Sequence, residues 1–295
     1  MKTIGVFNPS SAVYDAVDLK KLEAFFENKG IRLIYSEHLW EKNRFLCGTD
    51  EQRASDIMSL FCNDDVDALM AFRGGCGSGR VLDLLDYETI AKHKKTVIGF
   101  SDTTALQLAL WAKTGIPCLS GFLPKFDVLN ADKVNPLIEK SLDLALAGES
   151  LSASITPMNG ACKNIEGTLL CGTLVLIEQL LGTPYCPDFK DTILVIEDVT
   201  EEPYSIDVML THLRLAGVFE QVKGVIFGNF YKCISTDKND GTLEEVLSDF
   251  AAHYKDLPCW QGLPYGHVPT HIILPIGSRA EIKDNTLFLL YDLKV

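Results

Sequence analysis

The chain has 295 residues, 47% of them hydrophobic and 23% charged, with a formal net charge of −13. That length buries a substantial core, as one large domain or two modest ones, and the composition is that of a globular protein in water. The acidic balance argues against a nucleic-acid partner, because phosphate binding needs clustered Lys and Arg, and the short cluster Lys92, Lys94 and Lys95 reads as a solvated turn.

From the start the pattern alternates between strand and helix. Lys2–Phe7 reads as a strand, followed by the turn Asn8-Pro9-Ser10-Ser11. Asp18–Lys29 is amphipathic and stops at Gly30, and Ile31–Tyr35 is the next strand. A helix over Asp50–Phe61 starts from Thr49, which can cap it. The apolar run Ala68–Phe72 leads into Arg73-Gly74-Gly75-Cys76-Gly77-Ser78-Gly79. Short helical pieces at Leu82–Leu85 and Tyr87–His93 precede the strand Thr96–Phe100, which turns directly into a helix over Ala105–Ala112. Strands separated by helices predict βαβ units and a mostly parallel, Rossmann-like sheet. A helix near Pro136–Ala147 and a polar, Ser-rich stretch then read as a linker. Later strands at Gly167–Cys171, Thr192–Ile196, Gly224–Phe230 and Thr286–Tyr291 alternate with helices around Leu174–Leu181, Tyr204–Ala216 and Leu243–Tyr254. This half predicts an α+β domain with a mixed sheet. The expected division is 1–126, a linker over 127–164, and 165–295.

No apolar run is long enough to span a membrane, and MKTIGVFNPSS lacks the apolar region of a signal peptide. The cytoplasm is therefore the expected compartment. The nine cysteines are scattered, with no CxxC and no Cys/His spacing that suits zinc. They read as free thiols, and neither metal nor cofactor is expected.

Ligands of open parallel sheets bind where strands end and helices begin, and two such edges stand out. The first, RGGCGSG, puts four glycines directly after a strand, where backbone N–H groups can approach an anion or a developing oxyanion. It fits neither dinucleotide nor P-loop patterns, and its bland alternative is a tight turn. The second is Gly99-Phe100-Ser101-Asp102-Thr103. Ser101 there is either a helix cap or a nucleophile on a sharp strand-to-helix elbow. A serine nucleophile needs a base, and the base needs an orienting carboxylate. Among six histidines His267 is favoured, in the rigid loop Pro264-Tyr265-Gly266-His267-Val268-Pro269, with His271 as the fallback. The strand Ile193–Ile196 ends in Glu197-Asp198, either a plain exit to solvent or an acid aimed into a site. Cys76 among its glycines is a weaker candidate nucleophile. A phosphate- or nucleotide-binding module without catalysis is the rival from another class.

Taken in order, FRGGCGSGRVLDLLDY, IGFSDTTALQLALWAKTG, EGTLLCGTL, LGTPYCPDF, ILVIEDVTEEPYSIDVMLTHLRLAG and YGHVPTHIILPIGSRAEI resemble the LD-carboxypeptidase family over nearly the whole chain. That family covers muramoyl-tetrapeptide carboxypeptidases and microcin-immunity-type peptidases. The resemblance implies a nucleophile at Ser101, an acid at Glu197 and a base at His267. It also implies backbone oxyanion donors at Gly75 and Asp102, with the Asp102 carboxylate left to cap its helix. Arg73, Cys76 and Ser10 are expected near the substrate. The implied reaction removes a terminal D-amino acid from an L-centre in a peptidoglycan tetrapeptide. A microcin-type peptide–nucleotide conjugate is the alternative substrate, and a homodimer is expected. Two departures appear. Cys76 stands where the family usually has an aromatic residue, and Gly172-Thr173 where Gly-Asn is commoner. Neither is expected to touch the triad.

Overall fold

The computed structural model describes residues 1–237 and 239–291. Five short apolar runs build the first sheet: β1 (Lys2–Phe7), β2 (Ile31–Tyr35), β3 (Ala68–Ala71), β4 (Thr96–Gly99) and β5 (Cys118–Ser120). They lie parallel in the order β2-β1-β3-β4-β5. Every residue of β3, β4 and β5 is buried, and strands covered on both faces read as apolar runs without alternation. Helices α1 (Leu19–Glu27), α2 (Asp50–Cys62), α3 (Tyr87–His93) and α4 (Thr104–Thr114) make the returns. The Asp18 side chain caps α1, and Thr49 and Gln52 form a capping box on α2. Loops following β1, β3 and β4 therefore gather at one edge.

The rest of the chain builds α5 (Pro136–Ala147), β6 (Ser150–Ser154), β7 (Thr156–Pro157), β8 (Ile165–Thr173), α6 (Leu174–Leu180), β9 (Thr192–Val199), α7 (Pro203–Leu215), β10 (Gly224–Tyr231), α8 (Leu243–His253), β11 (Cys259–Gly266), β12 (Leu274–Ile276), β13 (Arg279–Lys283) and β14 (Thr286–Leu290). The second sheet runs β6-β14-β13-β8-β9-β10-β11-β7. Its centre, β8 to β11, is parallel, and its flanks are antiparallel. The mixed second sheet is the expected one.

Strands β5, β11 and β13 were not anticipated, nor were three further features. β12 crosses back and pairs antiparallel with β5, so the first sheet is completed by a strand from far downstream. Within 127–164, α5 buries Ile138, Leu142 and Ala145 in a cluster with Phe26, Phe122 and Ile273. Beyond it, β6 and β7 form the two outer strands of the second sheet. The last four residues of the expected 165–295 unit lie outside the described residues. One apolar core is continuous from Ile57, Leu106 and Leu110 through Leu174 and Ile177 to Leu170, Leu194 and Ile226. The sheets are thus packed through α4 and α6. No helix among the described residues is long and apolar enough to cross a membrane.

Leu142 is 0% exposed. Leu142→Ala is expected to cost about 2–5 kcal/mol, the cost of deleting a core side chain without collapse of its cavity. A fall in the urea midpoint measures it. A loss within about 0.5 kcal/mol, the scale of a surface change, would contradict this packing.

Candidate active site

β4 ends at Gly99, Phe100 follows in extended conformation, and the next residue, Ser101, has φ +61°. A non-glycine residue in this left-handed region is held there by its surroundings, and an elbow nucleophile has this conformation. A short turn over Ser101–Thr103 then opens α4. The Ser101 side chain caps neither the turn nor the helix. Its Oγ lies 2.9 Å from His267 Nε2. His267 Nδ1 lies 2.7 Å from Glu197 Oε2, which also accepts the His267 backbone N–H at 3.2 Å. With Nδ1–H donating to the carboxylate, Nε2 is left to accept from the Ser101 hydroxyl.

The positions follow from the sheets. His267 comes directly after β11, which extends to Gly266 and so takes in the first half of the loop expected from Pro264 to Pro269. The β10–β11 register shifts there, which lets Pro264 sit inside a strand. Successive residues of β9 point to opposite faces. Glu197, 0% exposed, faces His267, and Asp198 turns to the N-terminus of α6. There Asp198 accepts the N–H groups of Val175 and Val199, and burial pushes its carboxyl up to about 6. Phe100 forms a shelf, its ring centroid 4.6 Å from that of His267.

The glycine loop abuts the elbow. A Cβ on Gly74 would lie 2.9 Å from Ser101 Cβ and 3.1 Å from its Oγ. At Gly75, φ is +118°, and a Cβ would lie 2.2 Å from Ser11 Oγ. Asp102 corrects an expectation. Its buried carboxylate does not cap α4 but accepts from Ser10 Oγ at 2.5 Å and the Ser78 N–H at 2.8 Å. It thereby ties the turns after β1 and β3 to the elbow. Ser10, expected near the substrate, is 0% exposed, is part of this tie and does not line the cavity beside Ser101.

A cavity of about 810 Å³ opens onto Ser101 and His267. Its lining is mainly apolar, with Phe100, Leu123, Phe126 and Val134, and Arg73 and Lys133 bring positive charge. Arg73 donates to the carbonyls of Gly74 and Ala12 and lies over the Phe126 ring. Cys76 is exposed beside Ser11 and does not line this cavity. A larger groove of about 990 Å³, between α8 and the ends of β10 and β11, carries no histidine in its lining.

The roles of three residues were not foreseen from the sequence. His271, the fallback base, has Nδ1 2.7 Å from Val268 O and Nε2 2.8 Å from Gly121 O. It pins the loop after β11 to the end of β5, with no nitrogen left for Ser101. Asp127 lies 3.8 Å from it, and burial pushes that carboxyl up. The third is Thr173, whose Oγ1 donates to Glu197 Oε1 at 2.8 Å. This departure from the family pattern does touch the acid, contrary to expectation. Among the described residues, no three His, Cys, Asp or Glu side chains gather as metal ligands.

Fold and site together define a two-sheet α/β protein with a Ser–His–Glu chain of hydrogen bonds set between its sheets. Residues 4–121 match the LD-carboxypeptidase N-terminal domain, and residues 166–282 match the LD-carboxypeptidase C-terminal domain. The chain belongs to the LD-carboxypeptidase family, and it is an enzyme of the carboxypeptidase class. It is 32% identical over 285 residues to the Bacillus subtilis protein named "Probable murein peptide carboxypeptidase", covering 94% of this chain and 88% of that one. It is 25% identical over 315 residues to the microcin C7 self-immunity protein MccF of Escherichia coli, covering 95% and 90%. Among solved structures, muramoyltetrapeptide carboxypeptidase from Oxalobacter formigenes superposes with TM-score 0.88 at 27% identity, over 100% of both chains.

Gly74→Ala is expected to lower kcat by about 100-fold or more, because displacing a reacting group by about 1 Å costs on that order. The far-UV circular dichroism should stay unchanged. An unimpaired Gly74→Ala enzyme would contradict the close approach of the loop to Ser101.

Proposed function

We propose that Ser101, His267 and Glu197 form the catalytic triad of a serine LD-carboxypeptidase that removes the terminal D-alanine from an L-centre in peptidoglycan tetrapeptides. The observation that carries this reading is the unbroken chain Ser101 Oγ–His267 Nε2 at 2.9 Å and His267 Nδ1–Glu197 at 2.7 Å, opening onto the cavity. Ser101 Oγ attacks the carbonyl carbon of the L-residue while His267 takes its proton. Glu197 holds the imidazole in orientation and stabilises its protonated form. The tetrahedral oxyanion is received by the backbone N–H groups of Gly75 and Asp102, one from each turn. As the C–N bond breaks, His267 returns the proton to the departing amine. Water, activated by the same histidine, then hydrolyses the acyl-enzyme. Arg73 is assigned to the terminal carboxylate, since a carboxypeptidase must recognise that charge and Arg73 stands in the cavity wall.

The names of the Bacillus subtilis and Oxalobacter formigenes relatives support the substrate class. Cytoplasmic recycling of stem peptides and a homodimeric state belong to the same reading and rest on the family resemblance. The likeness to MccF supports the alternative substrate that the resemblance implies, a peptide–nucleotide conjugate, on which the same three residues would act.

Mass spectrometry of a tetrapeptide ending in L-Lys-D-Ala or meso-diaminopimelate-D-Ala should show loss of one alanine. The analogue ending in L-Ala should stay intact, and Cys76→Ser should retain most turnover. Ser101→Ala should lose on the order of 10⁴-fold or more. Equal cleavage of both epimers would refute the LD assignment. Cleavage of a peptide–nucleotide conjugate with no action on the tetrapeptide would transfer the mechanism to the other substrate.

A further inference from the structure

Glu197 is 0% exposed, and a carboxylate removed from water destabilises the fold unless donors face its oxygens. Oε2 is served by His267, through both Nδ1 and the backbone N–H. Oε1 is served by the hydroxyl of Thr173 at 2.8 Å. Thr173 is the last residue of β8 and stands opposite Glu197 in the parallel β8–β9 register. Its backbone N–H in turn donates to Thr104 Oγ1 at 3.3 Å. Thr104 opens α4, immediately after the turn that begins at Ser101. The approach is tight, because a Cβ on Gly172 would lie 2.2 Å from Thr104 Cγ2. The contacts therefore close a ring. Backbone joins Ser101 to Thr104, Thr173 bridges Thr104 to Glu197, and His267 returns from Glu197 to Ser101.

We propose that Thr173 is a positioning residue for the acid, its hydroxyl fixing the Glu197 carboxylate while its N–H locks that carboxylate to the helix carrying the nucleophile. This deepens the triad reading and rests on it. Threonine suits the place because its branched side chain is stiff at χ1, so the hydroxyl is aimed without a large entropy loss. Thr173 does not line the cavity, so it acts through Glu197 rather than on substrate. Without its donor, Glu197 Oε1 is unpaired and the carboxylate becomes more basic. It then holds a proton on His267 more tightly, and the acid limb of activity moves to higher pH.

The test compares wild type, Thr173→Val and Thr173→Ser. One readout is the rate at which a fluorophosphonate probe labels Ser101, forming the Oγ–P bond with loss of fluoride. The other is the pH profile of kcat/KM on the tetrapeptide. Thr173→Val should slow labelling and kcat by roughly 10- to 100-fold, the scale of losing a group that supports a functional side chain. KM should stay nearly unchanged and the acid limb should move up, while Thr173→Ser should restore both. If Thr173→Val does not fold, Thr173→Ala against Thr173→Ser gives the same contrast. Wild-type labelling and an unshifted profile in the hydroxyl-free variant would overturn the positioning role alone. An unlabelled Ser101 in the wild-type protein would overturn the triad reading and this inference with it.

Discussion

The hydrogen bond between Ser101 Oγ and His267 Nε2 is the contact on which the arrangement depends, because its two ends belong to different sheets. Ser101 is fixed by β4 and α4, whereas His267 and Glu197 are fixed by β11 and β9. A functional constellation tolerates displacements of only about 0.5 Å, so the sheets must be held in register as one body. Several features serve that end. α4 and α6 share one apolar core between the sheets. β12 leaves the second half of the chain to pair with β5. His271 sits between the base's loop and Gly121 at the end of β5, with a ring nitrogen facing a backbone carbonyl of each. Thr173 joins α4 to the acid.

The same arrangement handles an electrostatic difficulty. A buried carboxylate is costly alone, and Glu197 has no Lys or Arg among its bonded partners in the described residues. Its oxygens are met instead by a hydroxyl, a backbone N–H and an imidazole. Of these only the imidazole can acquire charge, and in the proposed reaction it does so as Ser101 gives up its proton. Asp198, one residue on, shows the other outcome of burial. It has two backbone donors and no cation bonded to it among the described residues, and burial pushes its carboxyl up to about 6.

The sequence was most informative where a local rule governs the outcome. Thr49 caps the helix assigned to it, and the buried strands β3 and β4 read as plain apolar runs. Ser101 follows β4 and Glu197 lies near the end of β9, as chain order shows, whereas the end of β11, which His267 directly follows, was read as a loop. The missed features depend on distant partners. β6 is a polar outer strand, Ser-Leu-Ser-Ala-Ser, and its pairing with β14 is decided by tertiary contact rather than hydrophobic pattern. β12 is a three-residue strand whose partner lies in another half of the chain. Asp102 was read as a cap because caps are local, yet its acceptor sites are filled by Ser10 and Ser78 from two other loops. Thr173 carries no motif of its own. Only the β8–β9 register places it against Glu197.

If the ring acts as one device, its members should not contribute independently. The most direct measurement is kcat for Ser101→Ala, His267→Ala and the double variant. Each single change is expected to cost on the order of 10⁴-fold or more, with the double variant losing little beyond either one. Losses that multiply in the double variant would show Ser101 and His267 acting separately, and would contradict a nucleophile and base coupled across the two sheets.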